Sequence, residues 1–294
     1  MRVLVVGASG QLGGHLVRGF TAAGHEVSGT CHSQGGPELL RVDLDDEAAL
    51  CAASRAVRAE LVVLAAGWTW VDANEDDPAA AWRRNCDHPL ALARACAAEG
   101  ARFVTYSTDY VFDGERGGYR EDDPPRPLNV YGEAKLGLER GLAELPGALV
   151  LRTSTVYGPE AQGKNFVYQL VRRLRAGQPF RVPSDQTATP SYAPDVAAVT
   201  LALVERGAEG VWHVTGPDAL DRGAFSAKVC AEWGLDPSGF EALPTAALGQ
   251  KARRPLRADL DTSKLRAAGL EVRGVEAGLR AMRAAIEAGG WATP

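Results

Sequence analysis

Short apolar runs recur through the first half of the chain, each followed by a turn and then by a stretch whose apolar positions repeat every three to four residues. The runs at 2–6, 26–30, 39–42, 61–65, 102–106 and 148–152 are apolar at successive positions, as strands buried on both faces of a parallel sheet are. Between them, Ala-, Leu- and Arg-rich stretches at 11–23, 46–57, 78–98 and 129–144 carry the helical repeat. This alternation predicts an α/β fold built on a doubly wound parallel sheet of the Rossmann type. Past about residue 153 the rhythm loosens: helices near 164–176 and 194–205 and a strand at 211–215 are separated by Pro- and Gly-containing turns. The stretches at about 160–190 and 216–258 find no place in the sheet. Residues 1–158 with about 191–215 are therefore expected to form one domain, and about 159–190 with 216–294 a smaller C-terminal lobe, with a ligand cleft between them.

Composition narrows the classes. The chain has 294 residues, of which 46% are hydrophobic and 23% charged, the balance of a soluble globular protein with a sizeable core. A net charge of −5 argues against a nucleic-acid partner, which would demand a basic excess. Cys31, Cys51, Cys86, Cys96 and Cys230 are scattered singly, as expected of a protein kept in a reducing cytoplasm. The longest nearly apolar run, 61–71, is too short for the roughly 18 residues a membrane helix needs, so no membrane partner is expected. The five histidines are dispersed and none pairs with a cysteine at ligand spacing, so no metal site is expected, and no G-x-S-x-G elbow is present.

The first turn carries the first chemistry. "GASGQLGGHL" places Gly7, Gly10 and Gly13 immediately after the first strand and at the opening of the first helix. Gly7 permits the tight turn, Gly10 lets backbone approach a pyrophosphate, Gly13 lets the helix pack closely on the strand, and the helix N-terminus supplies free N–H donors. The end of the second strand then chooses between a ribose hydroxyl and a phosphate on it. "GTCHSQGG" at 29–36 has no acid, whereas Thr30, His32 and Ser33 are possible donors, which favours NADPH, with NADH possible. Asp43 and Leu44 follow the third strand, where they would cover an adenine, and Ala65, Ala66 and Gly67 follow the fourth, where they would let backbone lie against the cofactor.

The second chemistry lies in "LNVYGEAKLGLE" at 128–139, which puts Tyr131 and Lys135 four apart on one helical face. A phenol with a pKa near 10 becomes a useful proton carrier at neutral pH when a cation stands beside it. Upstream, "VTYSTDYVFDG" at 104–114 ends a strand with Ser107 and Thr108. Ser or Thr ahead of Tyr-x-x-x-Lys, downstream of a glycine-rich turn, resembles the short-chain dehydrogenase/reductases. The likeness extends to their extended branch, and within it to the dTDP-4-dehydrorhamnose reductases, through "GASGQLG", "TWVDANEDDP" at 69–78, Asn85, "YSTDYVFDG", "PLNVYGEAKLGLE", "LRTSTVYG" at 151–158, "KNFV" at 164–167, "DQTATPS" at 185–191 and "ARRPLRADLDTSKL" at 252–265.

That resemblance implies an NADP(H)-dependent oxidoreductase acting on the 4-keto carbon of a nucleotide-linked deoxysugar. Tyr131 would protonate the developing alkoxide, Lys135 would lower the tyrosine's pKa and hold the nicotinamide ribose, and Thr108 would bond the carbonyl oxygen. Cofactor contacts are implied for Gly7, Ser9, Gly10, Gln11, Leu12 and Gly13 in the turn, His32, Ser33, Asp43 and Leu44 at the adenosine end, and Ala65–Gly67, Tyr131 and Lys135 at the other. Substrate contacts are implied for Thr69, Val71, Thr108, Asp109, Tyr110 and Asn165, with Arg253 and Arg254 offering guanidinium forks to the diphosphate. Two departures stand out. The family's D-Q-x-G-x-P-T appears at 185–191 with Ala188 in place of its glycine and Ser191 in place of its final threonine. Relatives carry a tryptophan where Thr155 stands, and Trp68 or Trp70 is positioned either to replace it by stacking on substrate or to pack internally. An Asp-Glu pair after the active-site threonine marks dehydratases; here Thr108 is followed by Asp109-Tyr110. The rival readings are an epimerase of the same fold and a non-catalytic regulatory subunit similar to the beta subunit of methionine adenosyltransferase. A monomer or homodimer is expected. The basic run "RRLRA" at 172–176 reads as solvated surface, and Asp72 and Glu75 as caps or holders of the substrate loop.

Overall fold

The computed structural model describes residues 1–33, 35–36 and 38–294. In the first half the strands are β1 (Arg2–Val6), β2 (Glu26–Cys31), β3 (Leu40–Arg41), β4 (Leu61–Leu64), β5 (Arg102–Thr108) and β6 (Ala148–Thr153). The helices between them are α1 (Gln11–Ala22), α2 (Glu47–Ala56), α3 (Val71–Asp76), α4 (Pro78–Trp82), α5 (His88–Ala98) and α6 (Val130–Leu142). Then follow β7 (Val156–Tyr157), α7 (Phe166–Arg175), β8 (Phe180–Pro183), β9 (Thr187–Ala188), β10 (Ser191–Tyr192), α8 (Ala193–Glu205), β11 (Gly210–His213), β12 (Leu220–Asp221), α9 (Arg222–Trp233), β13 (Phe240–Leu243), α10 (Ser263–Ala267) and α11 (Val275–Glu287).

Seven parallel strands form the central sheet in the order β11-β6-β5-β4-β1-β2-β3. The direction of winding reverses between β1 and β4, which opens a crevice beside the glycine turn. Val3 to Val6 and Leu61 to Leu64 are buried on both faces, which is why these strands read as continuous apolar runs. The sheet and its flanking helices thus take the predicted α/β form.

The helix expected over 78–98 is interrupted. Pro89 has no N–H to return to the carbonyl of Asn85 and its ring crowds that carbonyl, so the chain widens into a π-helical turn at Arg83–Asp87 between α4 and α5. The buried Asn85 in that turn accepts from Trp68 N–H at 2.9 Å and donates to Trp68 O at 3.1 Å and Asn74 Oδ1 at 3.0 Å, which pins the loop after β4.

The stretches 160–190 and 216–258 add no strand to the central sheet; they pair among themselves, β12 with β9 and β13 with β8. Within 191–215 only β11 joins the large sheet, while β10 pairs with β7. The basic run of α7 is more than solvated surface. Arg172 donates to Gly163 O at 2.9 Å and Arg175 to Pro294 O at 2.5 Å, so α7 ties down the C-terminus. All five cysteines are unpaired and buried, and among the described residues no helix is long and apolar enough to cross a membrane.

Candidate active site

The glycine turn is built by close approach. A Cβ at Gly13 would lie 2.0 Å from Gly7 O, so only glycine there lets α1 start against the end of β1. Thr30, expected as a phosphate donor, is instead buried beneath the turn and accepts from Gly7 N–H at 3.1 Å. No side chain caps α1, which leaves the N–H groups of its first turn directed at a cavity of about 590 Å³. Gly7, Ser9, Gly10, Gln11 and Leu12 line it on one side and Ala65, Ala66 and Gly67 on the other, as the sequence implied. These uncapped donors and the side-chain-free floor fit a dinucleotide's pyrophosphate.

A strap that the sequence did not reveal crosses the turn. Gln162 Nε2 donates to Ser9 O at 2.8 Å, and His15 Nε2 donates to Pro159 O at 2.8 Å. Trp291 packs on the His15 ring and under the Arg18 guanidinium, so the C-terminal segment backs the strap. These partners lie more than 140 residues apart, beyond any local motif.

At the far end of this cavity His32 and Asp43 meet, with Nε2 to Oδ2 at 3.1 Å, next to Leu44. The end of β2 carries no acid, and the Asp43 carboxylate, from the segment after β3, stands at this edge beside His32. Ser33 is exposed and does not line the cavity. Arg84, which no motif marked, does line it, paired with Asp45 and stacked over the Trp68 ring.

A second cavity of about 670 Å³ lies beyond the carboxyl ends of β5 and β6. The two share Gln11, Thr69, Ser107, Tyr131, Thr153 and Val156, so Tyr131 stands where they join. Two interactions place it. Asn129 caps α6 by accepting from Gly132 N–H at 2.8 Å, and Glu75 accepts from Val130 N–H at 2.9 Å. Gly132 then passes against the backbone of Tyr110, where a Cβ would lie 2.3 Å from the carbonyl oxygen. The result brings Tyr131 beside Thr108, whose hydroxyl donates to Asp109 Oδ1 at 3.0 Å.

Electrostatics here depart from the expected tuning. Burial, then the Asp109 charge, pushes the Tyr131 phenol up, and only the Thr108 hydrogen bond opposes this. Lys135 is not among the charges acting on the phenol. Its own pKa falls to about 8, chiefly through burial, with Glu139 one turn further on acting the other way. Its side chain reaches the dinucleotide cavity instead. Asp109 is 5% exposed and its pKa rises to about 6 through burial, although Ser154 Oγ donates to it at 2.7 Å. Ser107 Oγ, buried at the junction, has no hydrogen-bond partner among the described residues.

Thr69, Val71, Thr108, Asp109, Tyr110, Asn165 and Arg254 all line the second cavity. Asn165 caps α7 and donates to Gly158 O at 2.8 Å. Arg253 does not belong there: it is exposed along a neighbouring groove, because the backbone turns it outward while Asn129 holds its carbonyl at 2.8 Å. Asp72 fixes Arg254 at 2.8 Å and Ala252 N–H at 3.0 Å, so it holds the 252–258 loop. Arg181 and Arg222 also line this cavity and were missed, since neither sits in a recognisable motif. Trp70 is 74% exposed and lines neither of these cavities, so it neither replaces the tryptophan nor packs internally; Trp68 faces the dinucleotide cavity. Thr155 lines the substrate-side cavity with φ +42.

The model of the family described as RmlD substrate binding domain matches residues 1–287. The chain belongs to this family. Over 278 residues the RmlD-family chain is 37% identical to a dTDP-4-dehydrorhamnose reductase of Mycobacterium tuberculosis, covering 92% of this chain and 88% of that one. It is also 31% identical over 280 residues to a methionine adenosyltransferase 2 subunit beta of Danio rerio, covering 92% and 86%. Among solved structures, a dTDP-4-dehydrorhamnose reductase of Bacillus anthracis in complex with NADP superposes with a TM-score of 0.87 at 27% identity, covering 97% and 99%.

Proposed function

We propose that this RmlD-family protein reduces the 4-keto group of a nucleotide-activated deoxysugar, a dTDP-4-dehydro sugar in the first instance, with NADPH as the preferred donor. The observation that carries the reading is Tyr131 standing where the two cavities join, with Lys135 lining the dinucleotide cavity and Thr108 the second one. The reductase names of its relatives point the same way.

When bound, the nicotinamide supplies a hydride. Every other requirement falls to the chain. The first turn of α1 receives the dinucleotide's pyrophosphate. Thr108 redirects its hydroxyl from Asp109 to the substrate's keto oxygen. Tyr131, kept protonated by its burial, delivers the phenolic proton to that oxygen as negative charge develops on it. Lys135, free of any carboxylate contact in the cavity, holds the nicotinamide ribose. The preference for NADPH rests on the donor His32 at the adenosine edge; the nearby Asp43 keeps NADH acceptable.

Incubation with NADPH and a panel of enzymatically generated dTDP-4-keto sugars, followed by loss of absorbance, tests the reading. Oxidation with any member is expected. Tyr131→Phe should lower kcat by about 10²- to 10⁴-fold while leaving dinucleotide affinity intact. Silence across the panel, together with tight dinucleotide binding, would replace catalysis by a sensing role.

A further inference from the structure

Three arginines line the second cavity, and they differ in what neutralises them. Arg181 lies 3.3 Å from Glu241 and Arg254 lies 2.8 Å from Asp72. Arg222 has no carboxylate within ion-pair distance among the described residues, and it is only partly exposed. The carboxylates that could serve it are engaged. Asp221, its neighbour in sequence, caps α9 by accepting from Ala224 N–H at 2.8 Å. Asp109, whose charge acts on Arg222 without an ion pair, receives Ser154 Oγ and Thr108 Oγ1. A partly desolvated guanidinium with no carboxylate at ion-pair distance is costly, and a chain retains one where a ligand completes it.

Its position is fixed from two directions. The antiparallel pair β9–β12 brings the first residue of α9 to the cavity that Thr108 and Asp109 also line. The guanidinium lies 4.9 Å over the Phe166 ring, which is itself stacked on Phe225, so an aromatic shelf sets its plane. Arg254 lies 5.9 Å over the Tyr110 ring. Two forks therefore face one space, one already half-neutralised and one open, next to Asn165. Arg253, the fork implied beside Arg254, points elsewhere.

We propose that Arg222 is the second jaw, with Arg254, of a clamp on the diphosphate of the substrate, and that it selects nucleoside diphosphates over monophosphates. The inference rests on the nucleotide-sugar reading above. Each fork takes non-bridging oxygens of one phosphate, which matches two guanidinium groups to two negative charges. Arg222 is a binding residue in this account, with no part in the proton transfer at Tyr131.

Calorimetric titration of the full chain with dTDP and with dTMP separates the outcomes. Wild type is expected to bind dTDP at least tenfold more tightly than dTMP. Arg222→Met should weaken dTDP by about 10- to 100-fold and dTMP by less than about threefold, while Arg222→Lys, which keeps charge but not the fork, falls between. Arg253→Met should change neither. NADPH affinity and thermal midpoint of each variant show that the fold is intact. Equal dTDP affinity in wild type and Arg222→Met would overturn the clamp and leave the reductase reading standing. A uniform loss for dTDP and dTMP would also overturn it, since the side chain would then serve the base or the fold. Wild type that binds NADPH but no nucleoside diphosphate would remove the nucleotide-sugar reading itself, and the clamp with it.

Discussion

Arg152 closes a forked ion pair on Glu139, Nη2 to Oε2 at 2.6 Å and Nε to Oε1 at 3.0 Å, one helical turn beyond Lys135. Both side chains are buried, and the remaining guanidinium nitrogen meets His213 Nε2 at 3.2 Å. The pair joins the helix of Tyr131 and Lys135 to β6 and, through His213, to β11.

Removing one partner of such a pair leaves the other charge buried alone, which costs about 3–5 kcal/mol. Arg152→Met should lower stability by that amount in urea unfolding. Replacing both, as Glu139→Leu with Arg152→Met, should recover most of it. A double variant as unstable as the single one would show that packing, and not the stranded charge, is at stake.

Lys135 opposes its own fold. Burial depresses its pKa from 10.5 to about 8, so the charged form is disfavoured in the native state. The native chain binds fewer protons than the unfolded chain between about 8 and 10.5, and stability attributable to this group rises with pH across that window. Below pH 8 the ammonium costs on the order of 3 kcal/mol. Lys135→Met is expected to be more stable than wild type at pH 7, with the difference shrinking by pH 10, and to be inactive at both. A stability difference that does not change with pH would contradict this origin.

Asp43 is expected to weaken the preference for a 2'-phosphate. Its carboxylate stands beside His32 at the adenosine edge, where an exposed charge a few ångströms from a phosphate is worth about 1 kcal/mol. Asp43→Asn should raise the ratio of kcat/KM for NADPH over NADH by roughly fivefold. An unchanged ratio would mean that the 2'-phosphate lies away from this carboxylate.

Thr155 occupies a left-handed backbone conformation, φ +42, which a β-branched residue adopts only under strain of about 1–3 kcal/mol. Glycine relieves that strain but enlarges the unfolded ensemble. Thr155→Gly should therefore stabilise by about 1 kcal/mol, a rise of roughly 2 °C in the melting temperature. A fall in Tm would show that the Thr155 side chain contributes packing that outweighs the strain.

Several site residues were legible in sequence because their chemistry is local. Gly7, Gly10 and Gly13 shape one turn between strand and helix, and Tyr131 with Lys135 share one helical face, so local context marks them as candidates. Arg222 and Gln162 were not legible, since β9–β12 pairing and a strap from a distant segment bring them to the cavities. Arg253 and Arg254 were indistinguishable as neighbours until Asn129 and Asp72 turned one outward and the other inward.

By itself the sequence determined the doubly wound sheet and the two local motifs, because burial on both strand faces and fixed helical periodicity leave their mark on consecutive residues. Tertiary structure alone decided the charge environment: that Asp43 reaches the edge β2 leaves without an acid, that Lys135 acts on Glu139 and the cavity but not on the phenol, and that one arginine of three stands without a counterion. Electrostatic interaction depends on distance and burial, and both are set by which strands pair and which loops cross, information spread over contacts far apart in the chain.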